Sequence, residues 1–333
     1  MKKILVLFTG GTIGSVNEDG VINVAGDGKF ALISAYRRQF GNDTKFECRQ
    51  ILNILSENML YPHWERMAEI LANVDTSNYA GIIITHGSDT LAYTSAFLGM
   101  YFRHINIPVY IIASNKPIDE NGSNGLFNFA AAVEKIKENK YQGIFTLYEK
   151  VYLPTRVIPA DTCCDRFQAY GEDGCNEYTV FKAVNEKWLL QPKSQVFHGK
   201  PELKSRIMKI DGYPGIDFSN YSLEGNPTAV LFAPYHSGTA CTDESFGAQY
   251  SLCRFIEKCL IKDIKVYICG IKKGRPMYDT LDRIIRTGSI PMYNISDPAA
   301  YMKLIIAYNQ KEYPVGEVLK RNLYFETVGE NIK

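Results

Sequence analysis

The sequence predicts an α/β chain: an N-terminal doubly wound, mostly parallel sheet followed by a second, smaller α/β domain. Three observations carry this. Short apolar runs alternate with helical patterns from the first residues onward. Gly81-Ile82-Ile83-Ile84-Thr85 is a continuous β-branched run, as a strand buried on both faces requires. Residues 191–206 then lapse into polar sequence with Pro192, Gly199 and Pro201, after which the alternation resumes. The expected organisation is therefore residues 1–190, a linker over 191–206, and residues 207–333.

Each element follows from its pattern. Lys3–Phe8 reads as the first strand; its five apolar residues meet Thr9-Gly10-Gly11, too short for the roughly 7–15 of a signal-peptide core. Asn17-Glu18-Asp19-Gly20 reads as a turn, since Asp-Gly is a strong hairpin signal. Lys45–Leu52 looks extended. Trp64–Val74 reads as a helix with Met67, Ile70 and Leu71 on one face. After the 81–85 strand, Leu91, Leu98, Tyr101 and Phe102 recur at helical spacing. Val109–Ala113 is the next strand and Phe127–Ile136 the next helix. In the second half, 207–210, 229–232 and 264–269 read as strands, and 250–259, 281–286 and 299–308 as helices.

Composition excludes several classes. There are 37 basic and 36 acidic residues, for a net charge of +1, and no basic stripe, so nucleic acid is not an expected partner. No run approaches the roughly 18 apolar residues of a membrane span. The eight cysteines lack paired zinc spacing, the five histidines show no metal spacing, and a chain this long does not need disulfide staples. Reduced thiols and a cytoplasmic location are the expectation. The glycines of the first loop miss the dinucleotide fingerprint, and Gly28-Lys29 is followed by Phe30 where a P-loop needs Ser or Thr.

Doubly wound sheets bind ligands at the carboxyl ends of their strands. Four segments are expected there: 9–15 (TGGTIGS), 55–59 (LSENM), 85–90 (THGSDT) and 113–117 (ASNKP). They bring small hydroxyl residues, two carboxylates, and glycines that let backbone N–H groups approach a ligand closely.

Taken together, these segments resemble the bacterial-type asparaginase family, closer to its cytoplasmic type I. Gly10-Gly11-Thr12-Ile13-Gly14 resembles one family signature. His86-Gly87-Ser88-Asp89-Thr90 resembles the other, normally His-Gly-Thr-Asp-Thr. Ser56-Glu57-Asn58-Met59 looks like the substrate segment between them. Ser114-Asn115-Lys116-Pro117 with Asn124-Gly125 and Asn128, and then Tyr213-Pro214-Gly215, extend the likeness over nearly the whole chain.

The resemblance implies hydrolysis of a side-chain amide by a threonine nucleophile. Thr12 would be that nucleophile and Ser88 the assisting hydroxyl. Asp89 would hold the α-amino group of a small amino-acid substrate, Ser56 its α-carboxylate with Glu57 nearby, and Ser114 would line the amide pocket. It implies no metal or organic cofactor, and a homodimer or homotetramer in which His236–Thr239 and Asp279 or Asp282 approach a neighbouring site. Two positions depart from the pattern. Pro159 falls at the family's assisting lysine and Val21 at its hairpin tyrosine, and neither can activate Thr12. General-base help is worth about 10²–10⁴ in rate. Alternatives to asparagine hydrolysis are therefore a catalytically impaired amino-acid-binding homologue, or an amidase for a different small substrate.

Overall fold

A computed structural model describes residues 2–11, 13, 15–18, 21–24, 28–171, 189–190, 193–274 and 276–329, with side chains 15–30 excepted. The described residues divide into two units, those up to 202 with 323–325, and those of 203–322 with 326–329. Among the described residues no helix is long and apolar enough to cross a membrane.

The first unit is built on β1 (Lys3–Gly10), β2 (Ser15–Glu18), β3 (Val21–Val24), β4 (Phe46–Ile54), β5 (Tyr79–Thr85), β6 (Pro108–Ile112), β7 (Gly143–Tyr148) and β8 (Lys150–Tyr152). Among the described residues its longer helices are α1 (Gly28–Phe40), α2 (Tyr61–Ala72), α3 (Leu91–Tyr101) and α4 (Gly125–Glu138). The main sheet has the order β4-β1-β5-β6-β7-β8, parallel except for the β7–β8 hairpin. β1 and β5 are central, and Ile4–Leu7 and Ile82–Ile84 are buried, which is why both read as unbroken apolar runs. β2 and β3 pair as an antiparallel ribbon from Ser15↔Val24 to Glu18↔Val21. Asp19 and Gly20, the heart of the expected turn, lie outside the described residues.

The helices cover both faces. α1 packs with α4 through an edge-to-face contact of Tyr36 and Phe129, centroids 5.4 Å apart. α2 packs with α3, where the Trp64 indole N–H donates to Thr94 Oγ1 at 2.9 Å. Thr146 of β7 donates to Ser95 of α3, so its face of the sheet is the α3 face. Gly81 is held bare on the other face, where an added Cβ would meet Ile136 of α4 at 2.7 Å. The strand order then fixes the crossovers: β1–α1–β4 steps one way, and the next three step the other way. Since α4 shares the face of α1, β6–α4–β7 has the opposite hand to the other three, an exception to the usual rule for parallel connections.

Two further strands, β9 (Val157–Asp161) and β10 (Arg166–Ala169), form a separate antiparallel pair. Gln168 pairs with Ile158 and Arg166 with Asp161, so Pro159 and Ala160 together oppose the single residue Phe167. A bulge in a two-stranded ribbon tolerates a residue that cannot donate to a ladder, and Pro159 is exposed there.

The second unit is a four-stranded parallel sheet, β11 (Ile207–Asp211), β12 (Ala229–Ala233), β13 (Lys265–Ile271) and β14 (Ile290–Tyr293), in sequential order. Among the described residues it is accompanied by α5 (Leu252–Ile261), α6 (Asp279–Arg286), α7 (Asp297–Asn309) and α8 (Val315–Lys320). Its core includes Val230, Phe232, Ile256 and Val266, with Phe218 stacked on Phe255 at 5.0 Å. Pattern reading missed β14, whose four residues contain a proline, and α1, where Arg37 and Arg38 interrupt the apolar spacing.

The returning segment 323–325 closes the first unit. The Ile144 N–H donates to the Tyr324 hydroxyl at 3.1 Å, Thr155 Oγ1 donates to Tyr324 O at 2.6 Å, and the buried Arg156 guanidinium donates to Phe325 O. Gly143 has no room for a side chain beneath that hydroxyl; a Cβ would lie 2.2 Å from it. Tyr324→Phe should leave the Ile144 N–H buried and unsatisfied and cost about 1–3 kcal/mol. Urea denaturation reads this, and an unchanged midpoint contradicts it.

Candidate active site

The four segments at the carboxyl ends of β1, β4, β5 and β6 are ordered as neighbours by the sheet. β1 sends its connection one way and β5 the other, so the crevice of a doubly wound sheet falls between these two strands. The Thr9 hydroxyl crosses it, donating to Thr85 O at 2.6 Å.

Glycine makes the crevice narrow. Gly10 and Gly11 have φ of +99° and +74°, a left-handed conformation that a side chain would strain. Space forbids one as well. A Cβ on Gly10 would lie 2.5 Å from Ile54 O, and one on Gly11 would lie 2.4 Å from Gly87 N. Gly87 is pressed in turn against Ser56, whose Oγ a Cβ would meet at 2.4 Å. Three loops from three adjacent strands thus touch through backbone.

Ser56 opens a turn of 3-10 helix after β4 (Ser56–Asn58) and is buried. Its hydroxyl donates to Asp89 Oδ2 at 3.0 Å and accepts from the Asp89 N–H at 3.2 Å. Thr90 Oγ1 donates to Ser56 O at 2.9 Å, clamping the turn from the other side. Asp89 itself is exposed, Ser88 beside it is half-buried, and Glu57 is exposed. The pair therefore sets a buried hydroxyl beside an accessible carboxylate. Ser114 is fully buried after β6. Its hydroxyl donates to Lys116 O at 2.5 Å and lies 3.2 Å from Ser123 Oγ. Asn115 and Asn124 exchange two 3.0 Å bonds between backbone N–H and side-chain oxygen, which pins this turn to the start of α4. Thr12 lies outside the described residues. Val21 opens β3, and its side chain is likewise undescribed.

His86 has no exposed surface. Its Nδ1 lies 2.7 Å from Gly87 O, and since a carbonyl only accepts, that nitrogen carries the proton. Burial pushes the imidazole down to about 4, against weaker upward pulls from the Gly87 carbonyl and Asp89. It is a neutral spacer that fixes Gly87.

Sequence reasoning included Thr9 and Thr90 in the strand-end segments but gave neither a role. The available signal was position: each is a hydroxyl residue flanking a glycine-bearing strand end, able to reach a neighbouring carbonyl. Pro159 stands on the β9–β10 ribbon, and the nearby Arg156 is committed to backbone carbonyls of Phe325 and Tyr170.

A family model described as Asparaginase, N-terminal, matches residues 3–180. The chain belongs to the asparaginase family. It is 26% identical to an L-asparaginase of Thermococcus kodakarensis, with 98% of this chain and 99% of that one aligned. It is 33% identical to a glutamyl-tRNA(Gln) amidotransferase subunit of Thermoplasma acidophilum, with 98% of this chain and 83% of that one aligned. Among solved structures, the Thermococcus L-asparaginase superposes with a TM-score of 0.75 at 24% identity over 98% of this chain and 99% of that chain. L-asparaginase I of Vibrio cholerae gives 0.78 at 21% identity over the same shares. These likenesses bear out the asparaginase resemblance and the α/β fold class.

The sign of the His86 effect is fixed by its lowered value. Above pH 6.5 folded and unfolded chains both hold it neutral, so nothing is lost. As pH falls from 6.5 toward 4 only the unfolded chain takes up the proton, and stability drops by roughly 3 kcal/mol in total. The imidazole NMR signals of His86 should keep their neutral shifts at pH 5. A midpoint near 6.5 would show the ring to be solvated.

Proposed function

We propose that this asparaginase-family amidohydrolase converts L-asparagine to L-aspartate and ammonia. The Ser56–Asp89 pair carries the reading. An amino acid offers an ammonium and a carboxylate on one carbon. Its ammonium pairs with the Asp89 carboxylate, and the Ser56 hydroxyl turns from Asp89 to donate to the substrate carboxylate. Both functions of the pair are thereby used, and the rest of the ligand is directed along the crevice toward the loop after β1.

Thr12, which ends that loop's Gly10-Gly11 approach in sequence, is the proposed nucleophile. Its oxygen adds to the side-chain amide carbon. The C–N bond breaks, the nitrogen leaves as ammonia carrying the hydroxyl proton, and an ester to Thr12 remains. Water adds to the ester, the acyl–oxygen bond breaks, and aspartate departs as Thr12 regains its proton. In this reading Ser88 assists, and backbone N–H groups of the glycine loops stabilise the oxyanion.

Pro159 supports a second reading, an amino-acid-binding homologue with little turnover. It is exposed on a bulge and has no proton to give. Within the enzyme class, the relatives named as glutamyl-tRNA(Gln) amidotransferase subunits support an amide other than asparagine.

Ammonia release from asparagine, glutamine and other small amides distinguishes these. Slow release from asparagine is expected, abolished in Thr12→Val. Val21→Tyr with Pro159→Lys should accelerate it by about 10² or more, the value of one proton-transfer group. A fast unmodified enzyme would refute the loss of catalytic help. A folded chain that releases ammonia from none of them, with or without the two changes, would leave the binding homologue.

A further inference from the structure

A cavity of about 430 Å³ lies in the second unit between β14 and α8. Lys265, Lys273, Lys303 and Lys320 line it, contributed by β13, the β13–β14 connection, α7 and α8, and no carboxylate is among its lining residues. Between the lysines the wall is apolar: Met292 and Ile295 are buried, and Leu319 is half-buried.

Lys303 is the informative residue. Its side chain is only 4% exposed. The ammonium contacts Glu326 Oε1 at 2.8 Å, a carboxylate with no exposure, and donates to Arg321 O at 2.6 Å. An ammonium has three N–H donors. Two of these are taken by Glu326 and Arg321 O, and Lys303 is itself among the residues that line the cavity. The charge of Lys303 is balanced by Glu326, but those of Lys265, Lys273 and Lys320 have no ion-pair partner among the described residues. Three uncompensated cations from different elements thus line an apolar recess together with the buried Lys303.

We infer that this cavity binds a small molecule carrying a phosphoryl group on an apolar or aromatic body. A phosphoryl group has three acceptor oxygens and close to two negative charges. One oxygen accepts from the Lys303 ammonium, and the surrounding ammonium groups neutralise the charge. The body lies against Met292, Ile295 and Leu319. The volume falls within the range of small-molecule sites. Nothing in this inference depends on the proposed amide hydrolysis.

Titration calorimetry with AMP, inorganic phosphate and adenosine on the full chain is the test. AMP should bind at least tenfold more tightly than phosphate, adenosine should not bind, and added salt should weaken the interaction. Lys273→Glu with Lys320→Glu, both exposed, should fold and lose at least tenfold. Lys303→Met alone strands Glu326, so it is combined with Glu326→Leu, which removes the pair together; this variant should fold and also lose at least tenfold. Absence of AMP binding at millimolar concentration, phosphate binding as tightly as AMP, or unchanged affinity in either double variant would overturn the inference.

Discussion

The close approach of three backbones at the ends of β4, β1 and β5 is the constraint on which the site depends. Gly10 against Ile54, Gly11 against Gly87, and Gly87 against Ser56 leave no room for a single methyl group. Everything chemical in the crevice is hung from these contacts. Ser56 meets Asp89 because Gly87 lets the β4 loop come in beneath the β5 loop. Thr90 and Thr9 then fasten the loops with hydroxyl-to-carbonyl bonds of 2.9 and 2.6 Å. Such bonds are individually modest, about 1 kcal/mol each, so their role is to select one arrangement of loops that packing has already brought together.

Polarity is graded across the same short distance. His86 is held neutral by the dry side of the contact, Ser56 is buried but doubly hydrogen-bonded, and Asp89 is exposed. A carboxylate in that position stays available to a cation without the desolvation cost that a buried charge would carry. The turn carrying Ser114 is tied to α4, the helix whose crossover runs against the usual hand, and Glu149 N–H donates to Asn128 of that helix at 2.7 Å. The reversed crossover therefore sets where the β6 loop lies.

Much of this was legible in the sequence. Unbroken apolar runs gave β1 and β5, and the small-residue clusters after them marked strand ends. The proximity of Ser56 to Asp89, 33 residues apart, came from the family pattern and not from local periodicity. What escaped was non-local or locally weak. The hand of the β6–α4–β7 crossover follows from which face α4 covers, and α4 is apolar enough to cover either. β14 is four residues long with a proline, too short to show a period. Pro159 could be read as a missing donor, but its place in a bulge required the β9–β10 register. The lysine-lined cavity joins residues from 265 to 327, which no motif spans.

The central claim is that the Ser56–Asp89 pair receives an amino-acid zwitterion. Calorimetric titration with L-aspartate, the proposed product, measures this without requiring turnover. The unmodified chain should bind L-aspartate, while succinate, which lacks the α-amino group, and the Asp89→Ala variant should each lose at least about tenfold, the least that an unpaired charged group costs. Equal affinity of Asp89→Ala and the unmodified chain for L-aspartate would contradict the account.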